Sequence, residues 1–353
     1  ASVRNTEPIA FNMKQIFELC EVWAISIALL VYCYAVKTIV PKGATRLALI
    51  LPVVCSFFYL PLRLHSIHMR VITAFFLTWM ANFKLFLLVF DKGPLFLQPL
   101  PRFLALSSLP IDLTNTHKPK SLRAPHTIFV KILIFIILYL ANRHTDVLHP
   151  QLILALYGPH LYLSLEITLA IGAALTKAIL GLDLEPQFNE PYLATSLQDF
   201  WGRRWNLAVT RILRPVVFLP MLTTMARVLG RRNATLIAVI ATFVASGLMH
   251  ELMFFYIGVV NPSFELTLFF LIHGICLALE IEVKKRTRGK WHLHGIVSGA
   301  LTLGFVLVTF LWLLLPQFFK NDTVKKVFEE YASMRRFCLE ALSLFNFKNY
   351  LFK

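Results

Sequence analysis

The chain has 353 residues, of which 57% are hydrophobic and 15% charged, with a formal net charge of +16. A soluble domain carries about a quarter charged residues, so this composition excludes a soluble enzyme and indicates a polytopic membrane protein. The positive excess is spread through loops such as "EVKKRTRGK" (282–290) and "GRRN" (230–233), with no zinc-finger spacing or helix-turn-helix pattern, which argues against a nucleic-acid partner.

A helix crossing the hydrocarbon core needs about 20 apolar residues. The polar segment 1–15 holds no cleavable signal, so the first span is expected to direct insertion. Spans are predicted at 20–40, 46–62, 71–90, 127–142, 150–180, 234–258, 264–283 and 295–318. A weaker one, 207–229, is interrupted by Arg211, by Arg214 and Pro215, and by Pro220, and is expected to bend or re-enter. The prediction is therefore an all-α integral-membrane domain over 1–353, with eight or nine transmembrane helices. Between spans, the proline-rich stretch 91–126 reads as a surface excursion. In the tail, 322–353, Val324, Val327, Phe328, Tyr331, Cys338 and Leu342 fall near one helical face. Lys326, Glu329 and Arg336 oppose them and Arg335 breaks the pattern, which predicts an amphipathic helix on the membrane surface. No internal repeat is present, which weakens a transporter reading.

The five cysteines (Cys20, Cys33, Cys55, Cys276, Cys338) are scattered and form no C-x-x-C pair, so neither a disulfide framework nor a metal site is expected. Titratable residues inside apolar runs are functional candidates because their burial is costly: Glu21, Lys84, Lys131, His160, Glu166, Lys177, His250, Glu251, His273 and Glu280. Lys131, Lys177 and Glu280 lie near span ends and can snorkel, while Lys84 and Glu166 are candidates for pairing across helices. His273 reads as structural. Glu251 points about 100° away from His250 and is not an obvious partner for it.

His250 lies in "FVASGLMHELMFFYIG" (243–258), with Ser246 and Gly247 one turn before it. The small residues there either let two helices pack closely or leave room for a substrate beside the imidazole. The stretch "PYLATSLQDFWGRRWN" (191–206) is as unusual. Ser196 and Asp199 form an S-x-x-D capping signal. An α-helix starting there groups Leu193, Leu197, Phe200, Trp201 and Trp205 on one face and Asp199, Gly202, Arg203 and Asn206 on the other. The tryptophans suit headgroup depth, and Arg203 and Arg204 suit either lipid headgroups or a phosphorylated substrate.

The run "LGLDLEPQFNEPYLATSLQDFWGRRWN" followed by "ASGLMHELMFFY" resembles the plant wax synthases, long-chain-alcohol O-fatty-acyltransferases of the membrane-bound O-acyltransferase superfamily. The likeness continues through "LPLRLHSIH", "WMANFKLFLLVF", "EITLAIGAALTKAILGLDL" and "VSGALTLGFVLVTFLWLLLPQ". It implies an endoplasmic-reticulum enzyme that moves an acyl group from acyl-CoA, as co-substrate and without further cofactor, to a fatty alcohol. It also implies that His250 is catalytic, that Asn206 is the second signature residue, and that Phe200, Trp201, Arg203, Arg204 and Trp205 line the acyl-CoA side. Asp199, Ser246 and Gly247 are further substrate-binding candidates from their positions in the two segments. A sterol or diacylglycerol acceptor is the nearest alternative. A lipid transporter or scramblase would instead run past Lys84, Glu166 and His160, and a scaffold would tolerate any change at His250 or Asn206. Acceptor, chain length and oligomeric state are left open by the sequence.

The missing nucleophile elbow, and the lack of a cysteine in the His250 segment, favour direct transfer over an acyl-enzyme. A neutral imidazole, with an ordinary pKa of about 6.5, is a competent base for the alcohol at pH 7.

Overall fold

Backbone amides and carbonyls in a bilayer must be satisfied internally, so long apolar runs fold as helices. The computed structural model describes residues 13–109, 125–141, 149–180, 187–259, 261–287 and 293–351, and all its regular elements are helical. Residues 1–12 of the N-terminal segment, residues 110–124 of the 91–126 excursion and residues 181–186 lie outside the described residues. The helices are α1 (Met13–Ile39), α2 (Ala44–Tyr59), α3 (Ile67–Ala74), α4 (Asn82–Val89), α5 (Leu100–Ser108), α6 (Pro125–Ala141) and α7 (Pro150–Leu180). They continue with α8 (Leu197–Asp199), α9 (Leu207–Leu213), α10 (Leu219–Ile257), α11 (Glu265–Arg286), α12 (Gly295–Thr309), α13 (Leu315–Phe319) and α14 (Thr323–Leu351). Wider π turns join α3 to α4, α8 to the segment before α9, α9 to α10, and α12 to α13.

Seven helical runs among the described residues are long and apolar enough to cross a membrane: Met13–Ile39, Ala44–Arg63, Ile67–Val89, Leu152–Ala174, Leu207–Ile257, Glu265–Arg286 and Gly295–Phe319. The run Leu207–Ile257 has 51 residues. At about 1.5 Å per residue it is more than twice as long as a hydrocarbon core of about 30 Å is thick. Gly230, at φ 73° and ψ 157°, interrupts it, so one run contains both the weak span and the strong span expected from sequence. The π turn Arg214–Phe218 adds the bend that Arg214 and Pro215 predicted. With the shorter apolar helix Phe129–Ala141, these elements account for the expected eight or nine spans as an approximate count.

The chain forms two compact units and passes between them inside α10, after His250. In the first unit (1–109, 251–262 and 317–353), Leu30, Ile50, Phe57, Leu77, Trp79, Leu85 and Phe103 fill the core. Arg46 is buried there and is fully engaged: Nη2 donates to Val40 O at 2.7 Å, Nη1 to Leu88 O at 2.9 Å, and Asp91 neutralises the guanidinium. Lys84 donates to Leu106 O and Leu109 O, each at 2.6 Å, at the carbonyl end of α5, where a cation is favoured. Glu21 pairs with Arg63 at 3.0 Å.

The tail is helical as expected, but its inner face differs from the predicted one. Glu330 and Ser333 are buried, whereas Cys338 is exposed. Glu330 accepts from His68 Nδ1 at 2.7 Å and from His68 N–H at 3.3 Å, at the start of α3. A carboxylate with such partners can face inward, and Arg335, one turn from Cys338, then lies on the exposed side and breaks no pattern.

In the second unit (110–250 and 263–316), Lys131 of α6 pairs with Glu166 of α7 at 2.6 Å. Glu166 therefore has Lys131 as its partner, not Lys84, because the neighbouring helix decides which cation can reach it. His160 stacks on Phe135 at 4.9 Å. Val239, Phe243, Phe269, Phe270, Leu277 and Leu313 build the core around Leu197. Two glycines let α10 and α11 approach: a Cβ on Gly247 would lie 2.7 Å from Thr267 Cα, and one on Gly274 would lie 2.7 Å from Phe243 Cβ.

Candidate active site

Ser196 caps the opening turn as its sequence predicts, its Oγ accepting from Asp199 N–H at 3.1 Å. The α-helix then lasts only to Asp199. From Phe200 to Arg204 the chain takes a π turn, closed by Trp205 N–H donating to Phe200 O at 2.8 Å. An α-helix would bring Arg203 over Asp199, four positions earlier. The wider turn moves the contact to five, and it is Arg204 Nε that donates to Asp199 Oδ2, at 2.6 Å. The expected line of Asp199, Arg203 and Asn206 therefore does not form.

The two arginines part company as a result. Arg204 also donates from Nη1 to Asn189 O at 3.3 Å and Glu190 O at 3.2 Å, and so clamps the preceding loop onto the turn. Arg203 is exposed, and no ion pair or hydrogen bond holds its side chain among the described residues. Beside it Gly202 is also exposed, with no atom within 4 Å of where a Cβ would stand.

Asn206 ends the segment at φ 37° and ψ 68°, a left-handed conformation that asparagine tolerates better than most residues. Its Oδ1 accepts from Val209 N–H at 3.4 Å and caps α9. Phe200 stacks on Trp205 at 5.5 Å, and Trp205 also meets Phe188 at 5.1 Å. Trp201 turns into the core, against Phe243 at 5.5 Å and Phe270 at 5.7 Å.

His250 lies on α10, half-buried, its ring 4.2 Å from that of Phe270. Phe270 thus bridges Trp201 and His250. His250 Nδ1 is 2.7 Å from Ser246 O. A carbonyl oxygen only accepts, so Nδ1 carries the proton and the basic lone pair belongs to Nε2. Of the small residues before it, buried Ser246 supplies that carbonyl, and Gly247 is occupied by packing against Thr267.

His273 is wired differently. Trp201 Nε1–H donates to its Nδ1 at 3.1 Å, which leaves the proton on Nε2, 2.8 Å from Thr309 Oγ1. Thr309 Oγ1 in turn donates to Phe305 O at 2.8 Å. Both nitrogens are committed and the ring is fully buried, which fits the structural role expected of it.

Phe270 and Thr309 carried no signal in the sequence. Glu280, a candidate expected to snorkel from its span end, instead accepts from Leu197 N–H at 2.9 Å through Oε2 and pairs with Lys284, four positions on, at 2.6 Å. Among the described residues no group of three His, Cys, Asp or Glu side chains assembles to hold a metal.

Residues 184–272, which include both the turn and His250, match the family model described as the membrane bound O-acyl transferase family. Over 90% of the chain and 95% of its own length, the acyl-CoA–sterol O-acyltransferase 1 of Arabidopsis thaliana is 45% identical. The long-chain-alcohol O-fatty-acyltransferase of Simmondsia chinensis is 45% identical over 91% of the chain and 95% of its length. The chain belongs to the membrane-bound O-acyltransferase family. A probable long-chain-alcohol O-fatty-acyltransferase 1 of Arabidopsis thaliana is 43% identical over 88% of the chain. In this O-acyltransferase, then, the two segments singled out by composition and spacing both fall within the family match.

Proposed function

We propose that this O-acyltransferase transfers a fatty acyl group from acyl-CoA to a long-chain fatty alcohol, forming a wax ester at the endoplasmic-reticulum membrane. His250 Nε2 takes the alcohol proton as the alkoxide oxygen attacks the thioester carbonyl. The carbon–oxygen bond forms, the tetrahedral intermediate collapses with cleavage of the carbon–sulfur bond, and the proton passes to the departing CoA thiolate. Asn206 serves the developing oxyanion or orients the thioester through its amide, an interaction worth about 3–4 kcal/mol in other enzymes. Arg203, exposed and without a protein partner among the described residues, meets the phosphates of CoA, and Phe200, Trp201 and Trp205 pack behind the turn that presents it. No cofactor beyond acyl-CoA is needed.

The observation that carries this reading is the bond from His250 Nδ1 to Ser246 O, which leaves the imidazole's basic lone pair on Nε2. Support for the acceptor comes from the relatives named for long-chain alcohols. A sterol acceptor is the second reading, favoured by the equally similar Arabidopsis sterol O-acyltransferase. A panel of purified protein in nanodiscs with labelled acyl-CoA and a fatty alcohol, a sterol or a diacylglycerol tests it. Wax ester as the dominant product is expected, and sterol ester in its place overturns the acceptor assignment.

A further inference from the structure

We propose that Glu280 is a positioning residue for the acyl-CoA-binding turn, setting that turn against the helix that carries Phe270 and His273. The proposal rests on the functional reading above. The first amides of a helix have no partner within it. At this turn each is satisfied by a side chain: Leu197 N–H by Glu280 Oε2 at 2.9 Å, Gln198 N–H by Glu280 Oε1 at 3.4 Å, and Asp199 N–H by Ser196 Oγ at 3.1 Å. Phe200 N–H makes the first internal bond, to Ser196 O at 2.8 Å. A carboxylate here also complements the positive end of the turn. Lys284 Nζ holds Oε1 at 2.6 Å from the solvent side.

The cap comes from another helix, and that makes it a device for placement. Glu280 and His273 are seven positions apart on α11, two turns along one stripe. His273 takes the indole N–H of Trp201, and Glu280 takes the amides at the start of the same turn. Two fixed points on one helix therefore set the position and the roll of the turn, and with them the direction in which Arg203 leaves it.

Kinetics of the full-length protein in nanodiscs test this. Glu280→Gln keeps the size and one acceptor oxygen but loses the charge and the second acceptor. It should raise KM for acyl-CoA about tenfold, with kcat within about threefold and KM for the alcohol unchanged. Ser196→Ala should shift the same constant less, and Lys284→Met, which leaves both amides capped, should stay within about twofold. A wild-type KM for acyl-CoA in Glu280→Gln, or equal changes in all constants, overturns the proposal. If Glu280→Gln does not accumulate, Ser196→Ala decides on the same readout. Binding of a non-hydrolysable acyl-CoA thioether, expected to weaken about tenfold in Glu280→Gln, separates the two readings. A wild-type protein that binds it but esterifies no acceptor defeats the functional reading alone. An unchanged affinity in Glu280→Gln, with normal synthesis, defeats the Glu280 proposal alone.

Discussion

The indole N–H of Trp201 donates to Nδ1 of His273 at 3.1 Å, and that bond decides where His273 keeps its proton. With Nε2–H directed to Thr309, His273 has no lone pair to offer a substrate. His250, bonded through Nδ1 to a carbonyl, has the opposite tautomer. Two histidines on apolar helices are thus given opposite tautomers by their hydrogen-bond partners, and only His250 is proposed to do chemistry.

Replacing His273 with Ala should therefore lower stability, by about 1–3 kcal/mol for the unpaired indole N–H it leaves. Thermal melting of the detergent-purified protein reads this. Transfer per folded molecule should fall far less than it does in a His250 variant.

At Gly247 the added methyl of Gly247→Ala would meet the Thr267 backbone at 2.7 Å, and that backbone belongs to a packed helix that cannot swing aside. Overpacking of this kind costs about 1–3 kcal/mol. The melting temperature should fall, with KM for both substrates held in whatever protein remains folded.

The arginines of the turn should separate cleanly. Arg203→Ala is expected to raise KM for acyl-CoA without moving the melting temperature, since the side chain is exposed and holds nothing in place. Arg204→Ala breaks the clamp on Asp199, Asn189 and Glu190 and should lower the melting temperature. The reverse assignment would show that the α-helical register, not the π turn, describes the working protein.

Acid should loosen the C-terminal helix. Burial raises a carboxyl group's pKa, but at Glu330 the hydrogen bonds from His68 and Ser66, with the nearby His68, outweigh it and hold the group below its ordinary value. A depressed folded pKa stabilises above the unfolded value of about 4.3, and that contribution is lost as pH falls through the folded one. Glu330→Gln should melt lower than wild type at pH 7, and the difference should shrink as pH falls below the ordinary carboxyl value of about 4.3.

Where local chemistry alone set the structure, the sequence was legible. The cap at Ser196 and the bend at Arg214 and Pro215 follow from the residue and its near neighbours, whereas the small residues at Ser246 and Gly247 allowed either close packing or substrate space, and at Gly247 the contact with Thr267 shows close packing. Choices made by distant partners were not legible. Nothing local tells Glu166, inside its predicted span, that Lys131 stands opposite, or Glu330 that His68 waits at the start of another helix. The π turn was hidden for a different reason: one extra residue per turn leaves composition unchanged while exchanging the roles of Arg203 and Arg204.

The central claim is that His250 removes the acceptor's proton. Its most direct measurement is the rate of ester synthesis by His250→Ala in membranes with matched amounts of protein. Loss of a positioned base predicts a fall of about 10²–10⁴-fold with the melting temperature retained. Turnover at the wild-type rate would contradict it.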